Sequence, residues 1–437
     1  MTSQPGAMKT MPEYLKMPSN PITEAASEEI TRTVTEVIRA VRDEGLAALR
    51  RYSERYDRWN PPSFRVTDTE ILQAERDTTD ELKDHIRFVQ DQVRGFAELQ
   101  RATMSDFEKA TLPGVRLGQK HIPVNAVGSY SPGGKYPLIA SSIMTIVVPK
   151  VAGVKRVVAF APPREAKGIY PAQLHTMATS GADEIWAMGG VQALAAAAYG
   201  SDGLEPVDMI VGAGNAYVAE AKRQLFGKVG IDLLAGPTDI LVIADDSADP
   251  HVVAADLLGQ AEHGVNSPAT LVTTSRKLAE AVIGEVERWL GTNWPTKEVA
   301  GKAWHDLGAV ILCADEEEMA QVSDHYAPEH LEVQTRDTDW FLDRLTNYGS
   351  LFLGAESTVA YSDKAIGTNH VLPTGGSARY TGGLWVGKFL KTVTYQKVNR
   401  EGGQVVAPHA AAICDAEMMF GHAVTCRLRL DAQPRAA

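Results

Sequence analysis

The chain has 437 residues, enough for two or more domains that each bury a core. Its net charge of −12, with no Lys/Arg run, excludes a nucleic-acid partner held by its phosphates. Apolar content is 44%, no window approaches the ~20 apolar residues of a bilayer span, and no apolar signal region opens the chain, so a cytoplasmic protein without a membrane partner is expected. Cys313, Cys414 and Cys426 are odd in number and far apart, as free thiols in a reducing compartment would be.

Residues 1–25 show no periodicity and read as an arm. From Ser27, the apolar positions Ile30, Val34, Val37, Ile38 and Val41 follow helical spacing, with Gly45 as a stop. A second long helix is expected through Ile86, Val89, Val93 and Phe96. Past Val115 strand-like and helix-like runs alternate. Val157–Ala161, Glu184–Met188 and Val207–Val211 form one series of strands; Ile240–Ala244, Thr270–Thr273, Val310–Leu312 and Ser350–Leu353 form another. The fold class is therefore α/β, with two Rossmann-like parallel-sheet domains, one inserted in the other. A helical N-terminal region precedes them. After about Tyr380 comes a Gly-rich tail with a short helix holding Glu417 and His422.

In open α/β sheets, ligands bind beyond the carboxyl ends of the strands. Two strand–glycine–helix junctions stand there, Met188-Gly189-Gly190-Val191-Gln192 and Val211-Gly212-Ala213-Gly214-Asn215. The loop Ser131-Pro132-Gly133-Gly134-Lys135 is a third glycine-rich segment. Glycine lets the backbone approach a phosphate, and the helix N-terminus offers N–H groups, so the three loops point either to a nucleotide or to the glycine that any βα turn carries for steric reasons. None completes a GxGxxG fingerprint.

The second half carries the polar candidates. Asp249-Pro250 starts a helix that ends in Gln260-Ala-Glu-His263-Gly264. Residues three apart share a helix face, which would let Gln260 and His263 act together, as metal ligands or merely as capping polarity. Glu329-His330 sets a carboxylate beside an imidazole; as neighbours they would face different sides and serve two protons, or form a surface ion pair. Asp363, in the polar run Tyr361 to His370, and His422 near the C-terminus have equally plain alternatives as turn and helix-end residues.

Four runs resemble histidinol dehydrogenase: Ala235-Gly-Pro-Thr238-Asp239-Ile, Asp256-Leu-Leu-Gly-Gln-Ala-Glu-His263-Gly264, Pro328-Glu329-His330-Leu and Gly367-Thr-Asn-His370-Val-Leu-Pro. Order and spacing agree from about Gly128 to Arg429. The resemblance implies a zinc- and NAD-dependent homodimer that oxidises a polar primary alcohol to a carboxylate in two hydride transfers. Its zinc ligands would be Gln260, His263, Asp363 and His422, the last reaching the partner's site. Tyr130, Gln192 and Asn215 would contact NAD. Thr238, His330, His370 and Glu417 would line the substrate pocket, with Glu329 and His330 as the catalytic pair. The division expected is a helical part at 1–128, an inserted NAD-binding domain at 129–238, a zinc-bearing catalytic domain at 239–380 and a tail at 381–437 serving the partner subunit.

The chain also departs from the family pattern. Ala-Gly-Pro-Ser-Glu reads Ala-Gly-Pro-Thr238-Asp239, Gly-Pro-Gly-Asn reads Gly-Ala213-Gly-Asn, and Lys135 adds a cation. These features look closer to paralogues that oxidise 2,3-dihydroxypropane-1-sulfonate to 3-sulfolactate, where Lys135 would face the sulfonate or, equally, NAD phosphate or solvent. Oxidation of L-histidinol to L-histidine is the alternative, and a non-catalytic nucleotide-binding paralogue the alternative of another class.

Overall fold

The computed structural model describes residues 12–19, 24–133 and 136–431. Lys135 lies outside them, as does most of the expected N-terminal arm. Strands Ala126–Tyr130, Arg156–Ala161, Glu184–Ala187, Met209–Val211 and Gly230–Ile231 form a parallel sheet. Their spatial order is third, second, first, fourth, fifth. Strands Ile240–Ala244, Ala269–Thr273, Ala309–Leu312, His330–Gln334 and Ser350–Leu353 repeat that order in a second parallel sheet. Glu13–Lys16 adds to its edge, antiparallel to Ala309–Leu312, so this part of the expected arm is a docked strand. All five residues of Ile240–Ala244 and of Ala269–Thr273 are buried, the continuous apolar run of a sheet covered on both faces.

The N-terminal helices cover the first sheet. Helix Glu24–Glu44 packs Val34, Val37 and Val41 against a face holding Val158, Phe160 and Ile210. Helix Asp80–Ala102 packs Ile86 and Val93 with the opposite face, which holds Val157, Ala159 and Val211. Alternate residues of one strand thus feed two cores, as the pleat requires. The helices at 24–102 therefore share cores with the five-stranded sheet, and the expected boundary at 128/129 cuts through strand Ala126–Tyr130.

Two further features were not anticipated. Phe107–Leu112, Val115–Pro123 and Leu390–Val398 form an antiparallel three-stranded sheet. The C-terminal tail is a hairpin of two helices, Arg400–Ala416 and Phe420–Asp431, instead of one short helix. Glu417 caps the first and His422 sits in the second.

Candidate active site

Two clusters emerge. At the carboxyl end of the five-stranded sheet, Tyr130 closes the first strand, and its buried hydroxyl accepts from the Gly190 N–H at 3.2 Å. Burial pushes its phenol up to about 12. Gln192, in the first turn of helix Gly190–Tyr199, is buried and donates Nε2 to Asp57 Oδ2 at 3.0 Å. Asn215 caps helix Ala216–Leu225, its Oδ1 accepting from the N–H groups of Tyr217 and Val218 at 3.0 and 3.2 Å. The expected trio thus lies at the ends of the first, third and fourth strands. Asp57, from the N-terminal helix Leu46–Asp57, is an addition. Burial pushes its carboxyl up to about 6, with Gln192 and the Gly189 N–H pulling the other way. Nothing in its sequence context separated it from other helix-end acids.

The second cluster lies at the amino end of the six-stranded sheet, opposite to the carboxyl end at which ligands of open α/β sheets are expected. Thr238 and Asp239 precede strand Ile240–Ala244, and Glu329 precedes strand His330–Gln334, directly paired with it through His330 and Ile240. Helix Pro250–Ala261, capped by the Asp249 side chain, runs back to this end and brings Gln260 with it. The helix stops at Ala261 with Glu262 as cap, so His263 lies past the helix and its Nδ1 is 3.2 Å from the Gln260 carbonyl.

Glu329 and His330 are 5% and 2% exposed, which removes the surface-ion-pair alternative. They do not face apart: His330 Nδ1 is 3.4 Å from Glu329 Oε2. Gln260 Nε2 donates to the Thr238 hydroxyl, which in turn donates to Glu329 Oε2. The Asp239 N–H adds a donor to that oxygen at 3.2 Å, while Asp239 Oδ1 accepts from the Glu329 N–H at 2.8 Å. His330 Nδ1 is 2.9 Å from the Asp239 carbonyl, an acceptor only, so Nδ1 carries the proton and Nε2 is the atom left for chemistry. Asp239 is therefore a site residue that the motif comparison noted only as a departure. Burial pushes its carboxyl up to about 6.

The electrostatics follow from burial of opposite charges. Burial pushes Glu329 up to about 8 while His330 pulls it down. Burial also disfavours charge on His330, but Glu329 and Asp363 outweigh it and raise the imidazole to about 9. Burial works against charge on Asp363 too, yet His330, His370 and Lys364 hold that carboxyl well below the usual range.

Asp363, in helix Val359–Lys364, places Oδ1 3.7 Å from His330 Nε2. That is too long for a hydrogen bond, and both atoms are buried without any hydrogen-bond partner. His370 spends both ring nitrogens within the protein, Nδ1 2.9 Å from the Asp363 carbonyl and Nε2 2.7 Å from Ser141 Oγ. Ser141 belongs to helix Ile139–Ala152, so His370 ties this cluster to the five-stranded sheet. Glu417 and His422 are exposed on the C-terminal hairpin, with no contact to the other candidates among the interactions described. Among the described residues, no three His, Cys, Asp or Glu side chains of one chain are grouped to hold a metal.

The histidinol dehydrogenase family model matches residues 21–430. The chain belongs to the histidinol dehydrogenase family, a class of oxidoreductases. A sulfopropanediol 3-dehydrogenase of Ruegeria pomeroyi is 50% identical over 420 residues, covering 96% of each chain. A histidinol dehydrogenase homolog of Shouchella clausii is 52% identical, covering 92% of this chain and 94% of the relative. A histidinol dehydrogenase of Methanosarcina barkeri is 38% identical over 93% of each. The crystal structure of histidinol dehydrogenase from Elizabethkingia anophelis superposes with a TM-score of 0.88 at 35% identity, covering 94% of each chain.

Proposed function

We propose that the chain is a zinc- and NAD-dependent dehydrogenase that oxidises a primary alcohol through a bound aldehyde to a carboxylate, using two NAD and four electrons. The observation that carries this reading is the buried Glu329–His330 pair, with Nδ1 of His330 fixed by the Asp239 carbonyl and Nε2 left unpartnered beside Asp363. In its neutral form His330 takes the hydroxyl proton at Nε2 as hydride leaves the carbinol carbon, and the two carboxyl groups flanking the ring favour the imidazolium that results. Glu329, aimed by Thr238 and the Asp239 N–H, takes a proton from water attacking the aldehyde carbon. The second hydride then leaves the hydrate. Holding the aldehyde between the two steps keeps a reactive carbonyl out of solution.

The donor set suits zinc: an amide oxygen, imidazole nitrogen and a carboxylate, with Asp363 Oδ1 buried and unsatisfied. Gln260, His263, Asp363 and His422 of the partner subunit would hold the ion, and it would supply Lewis-acid polarisation of the substrate oxygen. Tyr130, Gln192 and Asn215 would bind NAD, the hydride acceptor. Thr238, His330 and Glu417 would line the pocket, Thr238 by setting Glu329; with both its nitrogens engaged, His370 would shape the pocket by holding Asp363 to Ser141. The C-terminal hairpin exposes Ile413, Met418, Phe420 and Leu428 together with Glu417 and His422. An exposed apolar patch beside ligand-type side chains supports a homodimer whose subunits complete each other's sites. Free Cys313, Cys414 and Cys426 support a cytoplasmic setting.

For the substrate, 2,3-dihydroxypropane-1-sulfonate is preferred, on the 50% identical relative and on Thr238 and Asp239 at the pocket. The 38% identical histidinol dehydrogenase supports histidinol as the second reading. A non-catalytic role fits poorly with a fully assembled Glu329–His330 pair. A substrate panel read by initial NADH formation with added zinc decides between them. Turnover of the sulfonate diol and little of histidinol is expected; a clear histidinol preference overturns the substrate assignment, and NAD binding without turnover of any alcohol overturns the activity.

A further inference from the structure

We infer that a buried ion pair, Lys222 with Asp232, is a positioning pair that fixes the cofactor loop Gly212–Asn215; the inference rests on the NAD reading above. Strand Met209–Val211 ends where the chain turns at Gly212 with φ +118°, and a Cβ there would lie 2.0 Å from the Tyr130 carbonyl oxygen. The first and fourth strands therefore meet at closest approach just where Tyr130 and Asn215 are presented. At this point the Gly212 peptide groups are gripped from both sides. Its N–H donates to Asp232 Oδ2 at 2.8 Å, and its carbonyl accepts from Lys222 Nζ at 2.9 Å. Lys222 also pairs with Asp232 Oδ1, which accepts in addition from the Leu233 N–H at 2.7 Å.

The side chains of Lys222 and Asp232 are 1% and 0% exposed. Lys222 comes from helix Ala216–Leu225, the helix that Asn215 caps, and Asp232 follows the edge strand Gly230–Ile231. One pair thus joins a strand end, a helix start and the sheet edge around a single glycine. A buried ion pair is often no more stabilising than apolar residues of the same volume, because both charges lose their hydration. Stability alone therefore does not require these two residues. What apolar residues could not do is orient the N–H and the C=O of Gly212 at once, and with them the loop that leads from Gly212 to the cap residue Asn215. Neither Lys222 nor Asp232 is placed to touch substrate, and their effect passes through the loop.

The test is direct titration of NAD alongside steady-state kinetics. In Lys222→Met/Asp232→Leu, which removes both charges together, Kd and KM for NAD rise by roughly ten-fold or more. Alcohol KM, bound zinc and kcat at saturating NAD stay within about three-fold. Asp232→Asn keeps the volume and one acceptor oxygen but replaces the charge and the other oxygen with an amide NH2, and its NAD affinity falls by a smaller factor. If the double variant does not fold, Asp232→Asn carries the test. NAD affinity within about two-fold of wild type in whichever variant is folded overturns the inference. An equal loss of alcohol and NAD affinity also overturns it, since that marks a general structural role. Wild-type chain that binds no NAD in the same titration refutes the cofactor reading itself, a result distinct from either.

Discussion

The two parallel sheets have the same strand order, yet their candidate sites lie at opposite ends. In the five-stranded sheet, Tyr130, the Gly189–Gly190 turn and Asn215 stand at the carboxyl ends, where helices Gly190–Tyr199 and Ala216–Leu225 begin. In the six-stranded sheet, Thr238, Asp239, Glu329 and His330 stand at the amino ends, where helix Pro250–Ala261 delivers its C-terminus and Gln260. The helix dipole favours anions at the first and cations at the second. Phosphates suit one end, and a metal ion or an imidazolium the other. His370 joins them, hydrogen-bonded to the Asp363 carbonyl and to Ser141 of the helix that follows the first strand of the five-stranded sheet. The same strand order gathers the candidate residues at the carboxyl ends of one sheet and at the amino ends of its twin. The proposed active centre therefore draws on the carboxyl end of one sheet and the amino end of the other, with His370 as the link between them.

That division can be broken at either end. The largest effect is expected from Glu329→Gln, which should leave the first hydride transfer running and slow the second by roughly 10²- to 10⁴-fold, the range of a lost general base. Single-turnover kinetics starting from alcohol and from aldehyde separate the two, and normal rates for both would remove Glu329 from water activation. NAD affinity should be unchanged, because Glu329 lies at the other sheet's end. Asn215→Ala should do the reverse. Loss of the cap costs about 0.5–2 kcal/mol of stability, visible in denaturant melts. It should also raise KM for NAD by roughly ten-fold while alcohol KM stays put.

The smallest effect concerns neither end. Buried Glu332 and half-buried Asp256 form a carboxyl pair bridged by the Gln334 amide, at 2.9 Å to Asp256 and 3.2 Å to Glu332. Burial, then the like charge of Asp256, pushes Glu332 from its ordinary 4.5 up to about 8. Between those values the folded chain keeps a proton that the unfolded chain has released, so stability falls as pH rises and the loss is complete above about 8. Glu332→Gln should flatten this slope, giving a Tm a few °C above wild type near pH 9 relative to their difference near pH 5. Parallel pH curves for the two chains would show that the pair carries no such strain.

The sequence made the βα rhythm plain because buried parallel strands are continuous apolar runs, as in Ile240–Ala244. The antiparallel sheet escaped notice for the opposite reason: Phe107–Leu112 and Leu390–Val398 are mostly exposed and lie far apart in sequence. At the site, Gln260, Asp363, Glu329 and His330 could be joined only through family resemblance, since no local spacing links a helix end, a strand start and a later helix. Their burial, the hydrogen-bond chain from Gln260 through Thr238 to Glu329, and the roles of Asp57 and Asp239 are tertiary facts. No residue pattern encodes them. The departures at Thr238 and Asp239 were legible, but not that both would bind to Glu329.

The central claim, one site that carries out both oxidations with His330 and Glu329 in succession, is tested most directly by stoichiometry. With limiting alcohol, added zinc and excess NAD, NADH formed is measured by absorbance and aldehyde by trapping. About two NADH per alcohol, with no free aldehyde captured, is the result expected of a retained intermediate. About one NADH per alcohol with an equal amount of trapped aldehyde would contradict it and mark a two-electron alcohol dehydrogenase.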